Sequence, residues 1–592
     1  MAVWTLDLEV YGNYFLAMLR NVETHVLWYH EITPDGHSGD TGSMPAGTWI
    51  TFNGNNFDIP ILAMALAGAD NATLKAACDD IIVRGLKPWN ISEKYGGVDL
   101  SGVDTIDLIE VAPGMASLKV YGGRLHSKRL QDLPFEPDHV VTVADREVLR
   151  EYCGNDLQTT EDLWRYLQPQ LQLRESMSKE FGIDLRSKSD AQIAEAVIRS
   201  EVEKILGHRV YRPELHPAYR FRYVAPEWIQ FNSPGMKHAF NLIKEAEFSL
   251  DDKGSVEMPQ ILQSLRLRIG AGIYRMGIGG LHSSESCVAH LASDRCRLID
   301  RDVASYYPSL ILTQGLYPAH MGPAFLTVYR GLVERRLAAK KRGDKVTNEA
   351  LKVVINGSFG KFGSKWSVLY SPDLMIQVTL GGQLALLMLI EAVEEAGIPV
   401  ISANTDGIVM ACPTERKADL DGIIAAWEVI SGLTTEETEY SAMYMKNVNN
   451  YLALTLDGEF KQKGCFAFVG SKKSELEKNP TNYICVDAVM ALLSDGTPLE
   501  DTIYGCADIR RFLTVRAVKG GAVYDGEFLG KAVRWYYAKG ETRHVSYHTN
   551  GNQVPRSIGA RPMMLLEERV PLDLDYSRYV EEAYSILKDI GE

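Results

Sequence analysis

Pro399–Met410 reads P-V-I-S-A-N-T-D-G-I-V-M, a pattern that leaves the chain little choice but a β-hairpin. Two apolar runs flank Asn404-Thr405-Asp406-Gly407, and Asn and Gly tolerate the backbone angles of a tight turn. The Asp406 carboxylate is thereby presented at a hairpin tip. Upstream, C-R-L-I-D-R-D-V-A-S-Y-Y-P-S starts at Cys296. A short strand delivers Asp302, and Pro308 then turns the chain into a helix. Asp300 shares a strand face with Asp302, because side chains two apart point the same way.

The N-terminus carries acids of the same kind. Val3–Tyr11, V-W-T-L-D-L-E-V-Y, alternates as a strand does and puts Asp7 and Glu9 on one face. Carboxylates this close raise each other's pKa unless a cation intervenes, which makes a divalent metal the natural partner. Thr51–Pro60, T-F-N-G-N-N-F-D-I-P, adds Asp58, and E-Y-C-G-N-D-L (Glu151–Leu157) places Tyr152 and Asp156 one helical turn apart. Four acids from three separate elements, with a phenol, suit two-metal phosphodiester hydrolysis, in which metals activate water and stabilise the leaving oxygen.

A second basic and aromatic cluster lies between the acids of Cys296–Val303 and the hairpin. G-L-V-E-R-R-L-A-A-K-K-R and A-L-K-V-V-I-N-G-S-F-G-K-F-G read as two helices joined by a G-D-K-V-T-N turn. Lys352, Asn356 and Phe359 fall on one face of the second helix, and this trio suits a triphosphate, its sugar and the base above. Arg336 and Lys340, one turn apart on the first helix, complete a phosphate clamp.

At 592 residues the chain exceeds what one hydrophobic core supports, and about four domains are expected. The net charge of −15 gives little general attraction to a polyanion, so nucleic-acid binding would need a local basic groove and would be strongly salt-sensitive. Strand character from Met1 to Asp7 predicts no signal peptide. The apolar stretch Met375–Ile390 contains Gln377 and Gln383 and falls short of the roughly 20 residues of a membrane span. Eight cysteines without C-x-x-C spacing point to a reducing cytoplasm.

Taken together, these segments resemble the family B DNA polymerases with an N-terminal DEDDy-type 3′→5′ exonuclease, in a compact, bacteriophage-like form. The resemblance implies an α/β multidomain fold, an RNase H-like exonuclease followed by a right-hand polymerase. It assigns 1–170 to the exonuclease, 171–217 to a helical connecting region, 218–320 and 365–475 to the palm, 321–364 to the fingers and 476–592 to the thumb. In the exonuclease Asp7, Glu9, Asp58 and Asp156 would hold metal, Tyr152 would orient water, Asn53 would touch the primer end, and Lys119 would lie near the scissile phosphate. In the palm Asp302 and Asp406 would hold metal, with Tyr307 under the incoming sugar and Arg336, Lys340, Lys352 and Asn356 on the nucleotide. Lys446, Tyr451, Lys461 and Lys463 would contact the primer–template duplex. Primer–template DNA and dNTPs are the implied partners, with two Mg2+ per active site and Mn2+ as an alternative. The expected protein is a cytoplasmic monomer without membrane attachment, in the host cell if viral; a processivity factor, helicase or single-strand binding protein is left open.

Several positions depart from the family pattern: Tyr306 stands for Leu, Gly357 for Ser, Phe359 for Tyr, and Asn404 for the first Asp of the hairpin motif. The linker element is also imperfect, with Gly277 in M-G-I-G-G-L-H (Met276–His282) where Tyr would stand. Only 50 residues separate Asp302 from Lys352, which leaves no room for the subdomain that protein-primed members insert there. Asn404 supports one alternative, an exonuclease whose impaired palm serves as a DNA-binding scaffold. A reverse transcriptase would share the palm and lack the N-terminal exonuclease.

Overall fold

The computed structural model describes residues 2–39, 44–467 and 475–592. Met1 of the expected first strand and residues 468–474 of the expected palm lie outside them. The chain forms two compact units. One comprises Met1–Ser189, Phe468–Asp487 and Glu500–Glu581, and the other Asp190–Ala467, Ala488–Leu499 and Glu582–Glu592. The segment expected to connect domains is therefore divided at Ser189, and most of the expected thumb belongs to the first unit.

The first unit is built on a sheet of β1 (Val3–Tyr11), β2 (Tyr14–Asn21), β3 (Leu27–Thr33), β4 (Gly36–Gly39), β5 (Thr48–Thr51) and β6 (Asp104–Asp107), in the order β4-β3-β2-β1-β5-β6. β1 runs antiparallel to β2 and parallel to β5, so it lies inside the sheet with both edges paired. Leu6 and Leu8 enter a core with Ile61 and Leu62 of helix α1 (Asp58–Leu66). Tyr11, on the opposite face, packs with Leu149, Cys153 and Leu157 of helix α3 (Val143–Tyr166). Those three recur every four residues, the spacing of one helical face. A capping box of Thr142 and Asp145 starts α3, with Asp145 accepting from the Thr142 N–H at 2.8 Å.

Helix α2 (Leu118–Arg124) carries the consecutive glycines of the G-G-R-L-H segment. A Cβ on Gly122 would come within 2.8 Å of Thr159, and one on Gly123 within 2.7 Å of Val515. Both glycines thus serve close packing, the second against the antiparallel strands Thr514–Tyr524 and Glu527–Tyr537. Arg534 on the latter strand is wholly buried and donates to the carbonyls of Ser127 (3.0 Å) and Met563 (2.8 Å). A buried guanidinium without such acceptors would be costly.

The second unit contains helix α4 (Asp190–Leu206), strands β7 (Leu281–Ser283) and β8 (Cys296–Val303), and helices α5 (Tyr306–Thr313), α6 (Pro323–Arg342), α7 (Lys345–Phe362) and α8 (Pro372–Glu395). Strands β9 (Val400–Asn404), β10 (Gly407–Pro413), β11 (Thr435–Asn447), β12 (Asn450–Thr455) and β13 (Phe460–Gln462) follow. Their antiparallel order is β7-β9-β10-β8-β11-β12-β13. The turn between α6 and α7 is tighter than expected: Lys345–Asn348 are already helical, because Asp344 caps α7 by accepting from the Thr347 N–H. Gly357 of α7 faces α4, where a Cβ would stand 2.6 Å from the Asp190 carbonyl. Glycine at this position is thus a packing requirement. α8 is longer than the apolar stretch suggested, and by length and composition it could cross a membrane. Most of its apolar window is buried in the unit's interior.

Candidate active sites

In the first unit, the odd-numbered face of β1 meets α3. The parity of the strand aims Asp7 and Glu9 at the helix, and the four-residue spacing of Tyr152 and Asp156 aims both at the strand. Glu9, Asp58, Tyr152 and Asp156 are all buried, and Asp58 opens α1 behind the end of β5. Burial pushes the Asp7 carboxyl well up, and the neighbouring Asp156 and Asp58 push it further. Glu9 is raised by burial and then by Asp7 and Asp156. Burial raises Asp156, opposed by Lys119, whose ammonium pairs with it and stands 4.2 Å from the centre of the Tyr152 ring.

Asp58 is raised to about 8, by burial and then by Asp107. The Asp7 Oδ2 atom is buried without a hydrogen-bond partner among the described residues. Converging buried carboxylates, one with an orphaned oxygen, fit a divalent cation by both charge and donor type.

Sequence reasoning overlooked two residues here. Cys153 offers its sulfur beside the Asp7 and Glu9 carboxylates and sits 3.7 Å from the Asp7 carbonyl. Its place in E-Y-C-G-N-D-L gave no sign of this, since only packing against β1 brings it there. Asp107 is also buried and accepts from the N–H groups of Asn53 (2.7 Å) and Asn55 (3.0 Å). It thereby holds the loop before Asp58, in which Asn53 adopts a left-handed φ of 69°. The available signal was an acid ending a short strand, T-I-D-L, parallel to β5.

These shifts predict a pH effect. A carboxyl whose folded pKa lies above its unfolded value contributes stability at low pH that is lost as pH rises through the folded pKa. For Asp58 the window runs from the ordinary carboxylate range to about 8. Metal-free wild-type protein should therefore lose thermal stability relative to Asp58→Asn between about pH 4 and pH 8, the span between the two pKa values. Mg2+ should restore stability to the wild type and not to the variant. Melting curves of both proteins with EDTA and with Mg2+ check this; parallel pH profiles would count against it.

In the second unit, β8 lies between β10 and β11, with Asp302 opposite Gly407 on one side and Glu436 on the other. The hairpin of β9 and β10 forms as its sequence requires, with Thr405 at φ 44°. Its tip is held by backbone: the Val303 N–H donates to the Asp406 carbonyl at 2.7 Å, and the Thr405 N–H to Leu281 at 2.8 Å. A Cβ on Gly407 would lie 2.1 Å from the Asp302 carboxylate. Glycine at this position is what lets that carboxylate lie across the hairpin. Asp302, Asp406, Asp300, Asn404, Tyr451, Lys461 and Lys463 line one small pocket. Burial and then Asp302 raise the Asp406 carboxyl, opposed chiefly by Lys463.

Asn404 is tied down by its amide, which donates to the Val448 carbonyl at 3.1 Å. Tyr307 stacks on Phe359 at 4.2 Å and donates to the Gly279 carbonyl at 2.7 Å. The imperfect linker element is therefore the seat of this phenol. Tyr306 is buried and donates to the Gly382 carbonyl, a partner that the usual leucine would lack.

Arg336 reaches the Ser305 hydroxyl at 3.2 Å, and Lys340 lies 3.8 Å from Glu436, the neighbour of Asp302 across β11. Neither lines the pocket that holds Asp302 and Asp406. Lys352 and Asn356 are exposed on α7, Lys352 beside Glu349 at 3.3 Å. Lys446 is not gathered with the others. It pairs with Asp589 at 2.6 Å and does not line the pocket.

No family model matches the chain. Over 145 residues it is 30% identical to DNA polymerase 1 of Aeropyrum pernix, a match covering 22% of this chain and 15% of that protein. Over 121 residues it is 28% identical to DNA polymerase 1 of Saccharolobus solfataricus, covering 20% of this chain and 14% of that one. Both matches span a small part of those relatives. The solved structure of the family B DNA polymerase from the hyperthermophilic archaeon Pyrobaculum calidifontis aligns with all of this chain and 78% of its own, with a TM-score of 0.40 and 15% identity.

Proposed function

We propose that the chain is a family B, DNA-directed DNA polymerase with a 3′→5′ proofreading exonuclease. The observation that carries this reading is the apposition of Asp302 and Asp406 across Gly407, with Lys461 and Lys463 lining the same pocket. Two carboxylates at the ends of neighbouring strands, with cations beside them, suit a nucleoside triphosphate whose charge must be matched on both sides. The similarity to archaeal DNA polymerases supports the same conclusion.

In the polymerase site Asp302 and Asp406 would hold the divalent cations, which supply charge stabilisation during phosphoryl transfer. The protein's own share is positional. Arg336 and Lys340 draw the phosphates, with Lys352 and Asn356 further along the same helical pair. The Tyr307 ring, fixed between Phe359 and Gly279, forms a flat floor that a 2′-hydroxyl would strike. In the exonuclease site Asp7, Glu9, Asp58 and Asp156 would hold metal, Lys119 would neutralise the scissile phosphate, and Tyr152 would orient water. The sheet order, with four successively antiparallel strands followed by two parallel ones, supports an RNase H-like exonuclease. The short interval between Asp302 and Lys352 supports a compact, bacteriophage-like enzyme extending an ordinary primer.

Primer extension with dNTPs on DNA and on RNA templates tests the reading. Extension on DNA alone is expected; no extension at all would favour the scaffold alternative, and efficient use of RNA a reverse transcriptase. In the same assay Tyr307→Val should raise ribonucleotide incorporation by at least about tenfold, the effect of some 1.4 kcal/mol of lost discrimination. Unchanged discrimination would remove Tyr307 from the sugar site.

A further inference from the structure

We propose that Asp300 is a positioning residue of the polymerase site, which acts by holding Lys461 so that Asp302 is left able to take a divalent cation. The proposal rests on the reading of Asp302 and Asp406 as the metal-holding pair.

Asp300 and Asp302 share one face of β8, and Asp300 is only 4% exposed. A carboxylate so enclosed needs partners, and it has two. The Tyr440 hydroxyl donates to its Oδ2 at 2.6 Å, and the Lys461 ammonium stands 3.0 Å from the same atom. Lys461 also donates to the Tyr440 oxygen at 3.0 Å and lies 3.4 Å from Asp302 Oδ2. The three side chains come from β8, β11 and β13, so the geometry belongs to the sheet and not to any one segment.

The ammonium thus touches two carboxylates, the buried Asp300 more closely than the more open Asp302. Any cation bound at Asp302 must displace or tolerate this ammonium. With Asp300 and Tyr440 in place, Lys461 keeps a charged partner when it yields Asp302. Without Asp300, Asp302 becomes the only carboxylate among the described residues within hydrogen-bonding reach of Lys461, and the ammonium becomes a direct competitor for the metal. Asp300 is in this sense distinct from a metal ligand: its effect runs entirely through Lys461, and removing the lysine should erase it.

A double-mutant cycle on metal binding tests this, since neighbouring charges that act through one another fail to add. Mn2+ binding is measured by electron paramagnetic resonance on the full chain carrying Asp7→Ala and Glu9→Ala, without DNA or nucleotide. Asp300→Asn, similar in size and still able to accept from Tyr440, should weaken Mn2+ binding roughly tenfold, within the range of such couplings. In a Lys461→Met background the same change should alter binding less than about threefold, below the scale of a coupled pair. Tyr440→Phe, a milder change, should weaken binding in the same direction and likewise lose its effect without Lys461. An equal Asp300→Asn effect in both backgrounds would overturn the proposal, because Asp300 would then act as a ligand or a plain charge. If Asp300→Asn does not fold, the Tyr440→Phe cycle decides alone, and additivity there would overturn it. Absence of any Mn2+ site in the parent chain would overturn the metal-pair reading and this proposal together.

Discussion

Asp406→Asn should reduce steady-state primer extension by about 10²- to 10⁴-fold, since metal-based charge stabilisation is worth several kcal/mol at about 1.4 kcal/mol per tenfold. The substitution preserves shape, and the hairpin tip is held by backbone bonds from Val303 and Thr405 that it does not touch. What it removes is charge, leaving Asp302 nearly alone opposite the cations and the triphosphate. Asn404→Asp makes the informative contrast. The Asn404 amide donates to the Val448 carbonyl, and a carboxylate would set two acceptors against each other. The cost should appear as roughly 0.5–1.5 kcal/mol of stability, the worth of a typical, partly buried hydrogen bond, while extension changes less than about tenfold. Extension assays with Mg2+ and melting curves on both variants decide it. Equal, small effects on extension would refute the assignment of catalysis to Asp406.

Asp7→Ala combined with Glu9→Ala should abolish degradation of a single-stranded 3′ end, a loss of at least about 10³-fold on the same scale, while dNTP incorporation continues. Both carboxylates lie on the β1 face that meets α3 and have pKa values raised by burial and then by neighbouring carboxylates. Without metal they oppose the fold, so the double variant should melt no lower than wild type in EDTA. Retained nuclease activity would exclude β1 as the catalytic strand. Loss of both activities in a protein that melts normally would count against two independent sites.

Wherever the placement of the candidate side chains depends on local periodicity, it was legible in the chain. The i, i+2 parity of Asp7 and Glu9, the i, i+4 spacing of Tyr152 and Asp156, and the Asn-Thr-Asp-Gly turn are each decided within a few residues. Backbone geometry alone orients those side chains. The departures from the family pattern were visible too, but their causes were not. Gly357 answers to a carbonyl of α4, Tyr306 to one of α8, and Asn404 to one in the turn after β11.

A similar gap separates the acids that were singled out from those that were missed. Asp107 and Cys153 belong to no spacing rule, and Asp300 shares a strand face with Asp302 but gave no sign of its partners; each acquires its surroundings from an element distant in sequence. Asp107 secures the loop before Asp58, Cys153 reaches the acids only because α3 lies against β1, and Asp300 meets Lys461 across three strands. Lys446 shows the converse, a lysine in a promising segment whose charge is taken by Asp589. By itself the sequence determined which segments become strands, turns and helices and which faces carry acids, because hydrophobic period and turn chemistry act over a few residues. Only the tertiary structure decided which acids meet, which cations answer them and which glycines must lack a Cβ. Those outcomes depend on strand register and helix packing between segments hundreds of residues apart, where burial turns small separations into large differences in charge energy.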